Sequence, residues 1–130
     1  MQILQPSGWT KPRGYSNGIA AAGRQIFVSG QVGWDAHCHF VSDTFAGQTA
    51  QALRNIVAVL AEGGARPEHI TRMTWYVTSK SEYLAAAKEI GAAYREIIGR
   101  HYPVMTAVQV VALVEDAAKV EIEVTAVVPD

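Results

Sequence analysis

The sequence predicts an α+β domain in which a mixed sheet has two helices packed on one of its faces. Its 130 residues, 49% of them hydrophobic, suit one packed domain over residues 1–130. Two segments repeat apolar residues at helical spacing, and each lies between segments of strand composition. The predicted order is hairpin, helix, strand, helix, strand, strand. Each helix is long enough to connect parallel strands by a crossover.

Composition and charge exclude several classes of protein. Eleven basic and twelve acidic residues leave a net charge of −1, so no basic patch is available for nucleic acid. No apolar run is long enough to span a membrane, and no secretory leader opens the chain. The single cysteine, Cys38, excludes a disulfide scaffold, and we expect a reducing cytoplasm. A chain of this length accommodates a small-molecule site most cheaply in a cleft between subunits.

The first third of the chain is rich in glycine and proline and has one strand-like stretch. We expect extended coil over residues 1–15 and then a hairpin whose arms are residues 18–22 and 24–32. Gly30, in the second arm, indicates a bulge or a close approach to the backbone. Residues 34–42 are predicted to form a loop.

The first helix begins after three N-cap candidates, residues 42–44, and ends at Gly63-Gly64. Its apolar positions are Leu53, Ile56, Val57 and Leu60. Its polar face carries Gln48, Gln51, Arg54 and Asn55. Residues 70–78 then alternate between apolar and polar, which is typical of a half-buried strand.

The second helix begins with a capping-box pattern at residues 79–82 and ends before Gly99. Its apolar stripe consists of Tyr83, Ala87, Ile90, Tyr94 and Ile97. Strands over residues 106–114 and 119–128 complete the chain. Because each helix has a single apolar stripe, both should cover the same face of the sheet. The opposite face mixes apolar and polar side chains, so we expect other subunits to cover it.

His37-Cys38-His39 is the clearest candidate for a metal site. On an extended segment the two imidazoles point to the same side, but no third or fourth ligand is evident nearby. A polar loop without metal is the favoured interpretation. Cys38 lacks the neighbouring base that a nucleophilic thiol requires.

Glu121 and Glu123 are the strongest candidates for acid–base chemistry. They lie two apart on a strand, so their carboxylates face the same way. They are either solvated surface charges or, beside a cleft, include a general base that activates water. Ser29-Gly30-Gln31 ends a strand whose free N–H groups could hold a ligand oxygen, but a plain glycine turn is the favoured interpretation. No nucleotide-binding, zinc-protease or serine-hydrolase motif is present.

Several segments together carry a family resemblance. They are Gly14-Tyr15-Ser16, residues 27–31, residues 48–56, the strand over 70–78 and residues 120–124. In this order the chain resembles the Rid (RidA/YjgF) family, also labelled endoribonuclease L-PSP. The resemblance implies a chorismate-mutase-like fold and a homotrimer, with ligand sites in the three clefts between subunits.

The resemblance also implies an activity, the hydrolysis of reactive enamines and imines such as 2-aminoacrylate to 2-keto acids and ammonia, without a cofactor. Tyr15 matches the site tyrosine of the family, and Ser29 and Gly30 match its backbone contacts at the strand end. Glu121 matches the glutamate that positions or activates water. Met105 and Thr106 match positions that contact the substrate.

Met105 departs from the family pattern, because it stands where active deaminases have the arginine that binds the substrate carboxylate. A thioether cannot form that ion pair. Arg13 and Arg100 are conceivable substitutes. Gly91 or its neighbours also stand where an asparagine is common.

Two hypotheses follow from this departure. The protein is either a hydrolase with an altered substrate, in which Glu121 activates water, or a non-catalytic trimer that binds a small metabolite or a partner. The near-neutral charge of the chain argues against the ribonuclease label.

Overall fold

The computed structural model describes all 130 residues and contains a four-stranded mixed sheet, a small two-stranded sheet and three helices. In chain order the elements are β1 (Gln2–Leu4), β2 (Gly18–Ala20), β3 (Arg24–Gln31), α1 (Phe45–Glu62), a 3₁₀ turn (Pro67–His69), β4 (Ile70–Val77), α2 (Lys80–Ala85), α3 (Ala87–Ile97), β5 (Val104–Gln109) and β6 (Val120–Val128). The predicted α+β class is confirmed. None of the helices is both long and apolar enough to cross a bilayer.

Strand β6 is central to the larger sheet, whose order is β3-β6-β4-β5. It pairs antiparallel with β3 on one edge and with β4 on the other, and β4 pairs parallel with β5. Helices α2 and α3 form the crossover from β4 to β5. The register of β3 on β6 shifts between Val28 and Gln31, which is the irregularity that Gly30 indicates.

The core lies between one face of this sheet and the helices. Helix α1 packs on β3, β6 and α3. The core residues that the sheet contributes are Val28, Ile70, Met73, Trp75, Val77, Val120, Ile122, Val124 and Ala126. Because side chains alternate along a strand, Glu121 and Glu123 lie on the opposite face, which we call the open face. Phe27, 72% exposed, is the most exposed large apolar side chain there.

Strand β5 forms one edge of the sheet, and its outer side is almost bare. An isolated bridge between Ser16 and Val104 is its only pairing on that side. Residues 106–109 are exposed, and beyond them Val111 and Val114 lie almost fully in solvent. The chain therefore presents an unpaired strand edge followed by an apolar loop.

The predicted N-terminal hairpin is wrong. Residues 18–20 do not pair with β3 but with β1, which lies in the segment 1–15 that was expected to be coil. Strand β3 pairs with β6. The glycine between the two arms, Gly23, has φ +143 and lies directly against the carbonyl of Val128. The apolar pattern identified strands here, but pairing over a long sequence distance decided their partners.

Two further boundaries differ from those predicted. Strand β5 ends at Gln109 rather than residue 114, because β4, its partner, ends at Val77 opposite Gln109. The second predicted helix is divided at Ala86, where φ is −93 and ψ is 7. Local propensity does not explain this break, because the neighbouring alanines favour helix.

Gln48 was predicted on the polar face of α1 but is 1% exposed. Its Nε2 donates to the carbonyls of Ser42 (3.1 Å) and Ala117 (2.9 Å). Its Oε1 accepts from the backbone N–H of Lys119 at 2.8 Å. One buried amide thus links α1 to the loop before it and to the start of β6.

Replacing Gln48 by leucine should therefore destabilise the protein. Gln48→Leu leaves buried backbone groups unpaired, so we expect the free energy of unfolding to fall by about 1–3 kcal/mol. Urea unfolding followed by circular dichroism at one protein concentration measures the change. Arg54→Gln is the control, since Arg54 is exposed on the same helix. Equal stability of the two variants would contradict this role for Gln48.

Candidate functional site

Ser29, Gly30 and Glu121 come together where β3 bulges against β6, and we call them the Glu121 cluster. A Cβ added at Gly30 would overlap the Oε2 of Glu121, so only glycine lets this carboxylate lie against the β3 backbone. Gln31 donates from its Nε2 to the carbonyl and to the hydroxyl of Ser29, both at 3.2 Å. These hydrogen bonds stabilise the end of β3. The structure thus places the Glu121 carboxylate directly against the backbone near the end of β3.

The two glutamates of β6 differ in their partners. The hydroxyl of Tyr76 donates to Oε1 of Glu123 at 2.6 Å, whereas Glu121 makes no hydrogen bond or ion pair within the chain. The hydrogen bond to Glu123, with partial desolvation and the negative charges of both glutamates, raises the pKa of Tyr76. The carboxylate of Glu121 remains available to water or a ligand, while that of Glu123 is occupied.

Tyr15 lies beside the beginning of β5. The next residue, Ser16, donates from its N–H to the carbonyl of Pro103 (3.0 Å) and from its hydroxyl to that of Tyr102 (2.6 Å). Tyr15 itself is 42% exposed. The predicted site tyrosine is therefore held close to the strand that carries Met105, but it is far in the sheet from β3.

Met105 and Thr106, adjacent in sequence, lie on opposite faces of the sheet. Met105 pairs in register with the buried Met73 and packs against the core, whereas Thr106 pairs with Thr74 on the open face. Above Met105 is a cavity of about 640 Å³, which we call the Met105 cavity. Its walls include Trp75, Tyr83, Ile90, Tyr94, Tyr102 and Met105.

The cations proposed as substitutes for the missing arginine separate in the structure. Arg13 lines the Met105 cavity, and so does Arg95, which the sequence did not single out. Arg100 lines a different cavity, of about 560 Å³, with Tyr15 and Trp9.

The Glu121 cluster and the Met105 cavity do not form one site within a single chain. Glu121 pairs with Tyr76 of β4, and Met105 pairs with Met73 on the other edge of β4. With two strand spacings and a shift of three residues between them, their backbones are roughly 14 Å apart. Their side chains also lie on opposite faces of the sheet.

The loop at His37-Cys38-His39 is organised by Asp35. The Asp35 carboxylate accepts the backbone N–H groups of His37 (2.9 Å) and His39 (3.0 Å), and these hydrogen bonds lower its pKa. Cys38 is exposed and adopts φ +63. No group of three or more potential metal ligands is present, and the two imidazole centroids are 6.5 Å apart.

The largest cavity, of about 920 Å³, contains none of the predicted site residues. It lies between residues 40–43 and 111–119, and Gln48 is at its wall. All three hydrogen bonds of Gln48 are made within the chain, so this cavity has no free functional group at that point.

Sequence reasoning missed Tyr76 and Arg95. Tyr76 belongs to the polar face of β4 that the alternation predicted, but its contact with Glu123 depends on the register between β4 and β6. Arg95 gave no signal, because a single arginine near the end of a helix is typical of a solvated residue.

The pKa of Tyr76 provides a test of this geometry. Glu123→Gln removes the charged acceptor, so the pKa of Tyr76 should move down towards its ordinary value of about 10. Glu121→Gln removes only a more distant charge and should lower it less. Titration of ¹³C-labelled tyrosine followed by NMR, with Tyr76→Phe to assign the resonance, measures both shifts. An unchanged titration in Glu123→Gln would show that the hydrogen bond is absent in solution.

Known proteins resemble this chain over most of its length. The family model described as endoribonuclease L-PSP matches residues 10–128. Protein DfrA of Myxococcus xanthus is 32% identical over 87% of this chain and 84% of its own. A 2-iminobutanoate/2-iminopropanoate deaminase of Salmonella typhimurium is 27% identical over 81% of this chain and 80% of its own.

Comparison of the fold with solved structures indicates the same family. The crystal structure of the Rid-family protein YyfB of Yersinia pestis is 30% identical and superposes with a TM-score of 0.83 over 98% of both chains. The sequence resemblance and the predicted fold class are therefore confirmed. This chain belongs to the endoribonuclease L-PSP family, which is also called the Rid or YjgF family.

Proposed function

We propose that this protein hydrolyses a reactive enamine or imine, without a cofactor, in clefts between the three subunits of a homotrimer. The observation that carries the proposal is the unengaged carboxylate of Glu121, which lies against Gly30 at the end of β3. The name of the Salmonella typhimurium relative, a deaminase of two imino acids, supports this class of reaction.

Glu121 acts as the general base in this proposal. It accepts a proton as the oxygen of water bonds to the imine carbon, and it returns that proton to the nitrogen. The carbon–nitrogen bond then breaks as the remaining hydroxyl proton passes to nitrogen, which leaves a 2-keto acid and ammonia. No electrons are exchanged with another compound, so the reaction requires no redox cofactor.

The other proposed residues orient the substrate. Tyr15 offers a half-exposed hydroxyl, and the strand end at Ser29-Gly30 offers backbone groups next to Glu121. Thr106 is exposed on the open face. Met105, on the other face of the sheet, forms part of the wall of the Met105 cavity. These contacts replace, in this chain, a site built around a strand arginine.

The separation of these residues supports a site between subunits. Within one chain Glu121 and Met105 point away from each other, so a ligand that touches both must lie between two copies. The open face is suited to such packing, because Phe27 lies largely in solvent there. Trimerisation around the open face would cover this side chain and bring the Glu121 cluster of one copy towards β5 of the next.

The presence of methionine at position 105 indicates that the substrate is not 2-aminoacrylate but an altered one. Without an arginine on β5, a small imino acid would lose the contact that holds its carboxylate. The same substitution is the observation that favours a second candidate function, a trimer that binds a small metabolite or a partner without turning it over. In that case a ligand would be retained tightly, and Glu121 would not affect turnover.

The cytoplasm is the proposed location. The single cysteine is exposed and unpaired, which suits a reducing compartment. The net charge of −1 gives no basis for a nucleic-acid partner.

Turnover by variants of the two β6 glutamates tests the proposed reaction. An L-amino acid oxidase generates the 2-imino acids of several amino acids in the assay mixture. Semicarbazide traps the imino acid that has not been hydrolysed, so hydrolysis lowers the amount of trapped product. 2-Aminoacrylate is tested in the same way. We expect the wild type to suppress trapping of at least one imine. Glu121→Gln should lower kcat by about 10²–10⁴ through loss of the base.

Glu123→Gln is the matched control, since it removes a carboxylate from the same face of the same strand. It should retain most of the activity. Met105→Arg should gain activity on 2-aminoacrylate. A wild type that leaves every imine to spontaneous hydrolysis, but binds a ligand tightly, would favour the non-catalytic candidate.

Sedimentation velocity tests the assembly. The molecular mass derived for the wild type should be three times the 14.0 kDa of one chain. Phe27→Glu places a charge on the open face and should dissociate the trimer. Val59→Glu, on an exposed position of α1, should not. A trimer that survives Phe27→Glu unchanged would indicate that another surface holds it together.

A further inference from the structure

The Met105 cavity combines an apolar interior with unpaired positive charge. Arg13 and Arg95 both line it, and neither makes a hydrogen bond or an ion pair. The two ion pairs of the chain, Arg66 with Glu68 and Lys119 with Glu82, lie elsewhere. An apolar cavity with unpaired guanidinium groups at its edge suits a ligand with a large apolar group and an anionic one.

The guanidinium of Arg95 lies next to Gly91. The two residues are one helical turn apart on α3, on the same side of the helix. A Cβ at Gly91 would lie 3.3 Å from Nη1 of Arg95, so the guanidinium rests against the bare backbone where a side chain would otherwise be. Gly91 lines the Met105 cavity as well. The glycine therefore allows a charge on the helix to reach the cavity above Met105.

Trp75 forms part of the apolar wall of this cavity. Its side chain lines the cavity and is 2% exposed, and its Nε1–H is the one buried side-chain polar group in the chain without a hydrogen-bond partner. A buried donor without an acceptor is unfavourable. This N–H has no accessible surface, so it is the rest of the indole that lines the cavity.

We propose that Arg95, with Arg13, binds the carboxylate of a substrate whose aromatic or large apolar side chain fills the Met105 cavity. This inference rests on the proposed function, for which it names the substrate class, the imines or enamines of 2-keto acids with large apolar side chains. The carboxylate lies at the rim and the side chain within. The carbon that carries nitrogen is then at the mouth of the cavity, which is where the proposed function requires the Glu121 of another subunit.

Equilibrium binding of unreactive probes tests the inference separately from catalysis. Isothermal titration calorimetry compares 3-phenylpropionate with its neutral analogue 3-phenylpropionamide, and with propionate, which lacks the ring. We expect 3-phenylpropionate to bind roughly tenfold or more tightly than either. Arg95→Gln should remove most of the preference for the carboxylate, and the double variant with Arg13→Gln should abolish it.

Two further variants separate position from charge. Arg95→Lys should retain part of the preference, because the charge remains but the paired donors are lost. Gly91→Gln should weaken binding of the carboxylate by displacing the guanidinium. Arg54→Gln, which removes an exposed arginine from α1, is the matched control and should bind like the wild type.

Equal binding of carboxylate and amide by the wild type would overturn the inference, as would an Arg95→Gln variant that keeps the preference. These failures differ from failure of the proposed function. A protein that shows the carboxylate preference but hydrolyses no imine would keep this binding site and lose the enzyme. A protein that hydrolyses an aromatic imine independently of Arg95 would keep the enzyme and lose this assignment.

Discussion

The alternation of side chains along β6 is the constraint on which the rest of the molecule depends. The strand is hydrogen-bonded along both edges, so its register is fixed from two sides. Its odd-numbered glutamates must face away from the core because Val120, Ile122 and Val124 face into it. A shift of one residue would bury two carboxylates and expose the four core side chains of the strand, Val120, Ile122, Val124 and Ala126. The stability of the core and the position of Glu121 are therefore set by the same pairing.

This constraint also keeps the Glu121 cluster and the Met105 cavity apart within one chain. Strands β6 and β5 are both tied to β4, so neither can rotate to bring Glu121 and Met105 together. The chemistry of the open face and the cavity of the helical face are separated by the sheet itself. In the proposed trimer, a second copy would bring its own cavity to the first copy's carboxylate without any change in either fold.

The parts of the fold that depend on local pattern could be predicted from the sequence. Thr44 caps α1, Gly63 ends it, and the alternation over β4 and β6 correctly separates core from surface. Contacts between distant segments could not be predicted. Gly30 and Glu121 are separated by most of the chain, and a glycine in a strand does not reveal which side chain lies over it.

The errors have the same origin. Residues 18–22 have the composition of a hairpin arm, but the competing partner, β1, is too short and exposed to be recognised. Gln48 resembles its exposed neighbours in sequence and is distinguished only by its bonds to distant backbone groups, those of Ala117 and Lys119 just before β6. The family resemblance supplied Glu121, Gly30 and Tyr15 as expected site positions. It gave no information on Arg95, whose proposed role depends on the side chains around it in this chain.

The bare edge of β5 has a consequence for how the protein is made. If the protein is the proposed trimer, a chain that has folded but not yet met its partners presents free backbone N–H and C=O groups, next to the exposed Val111 and Val114. Such an edge can recruit any other unpaired strand, so correct assembly competes with aggregation until the surface is covered. Both processes are encounters between chains, so the yield of soluble protein would be set by how much faster the correct encounter buries this edge than an incorrect one.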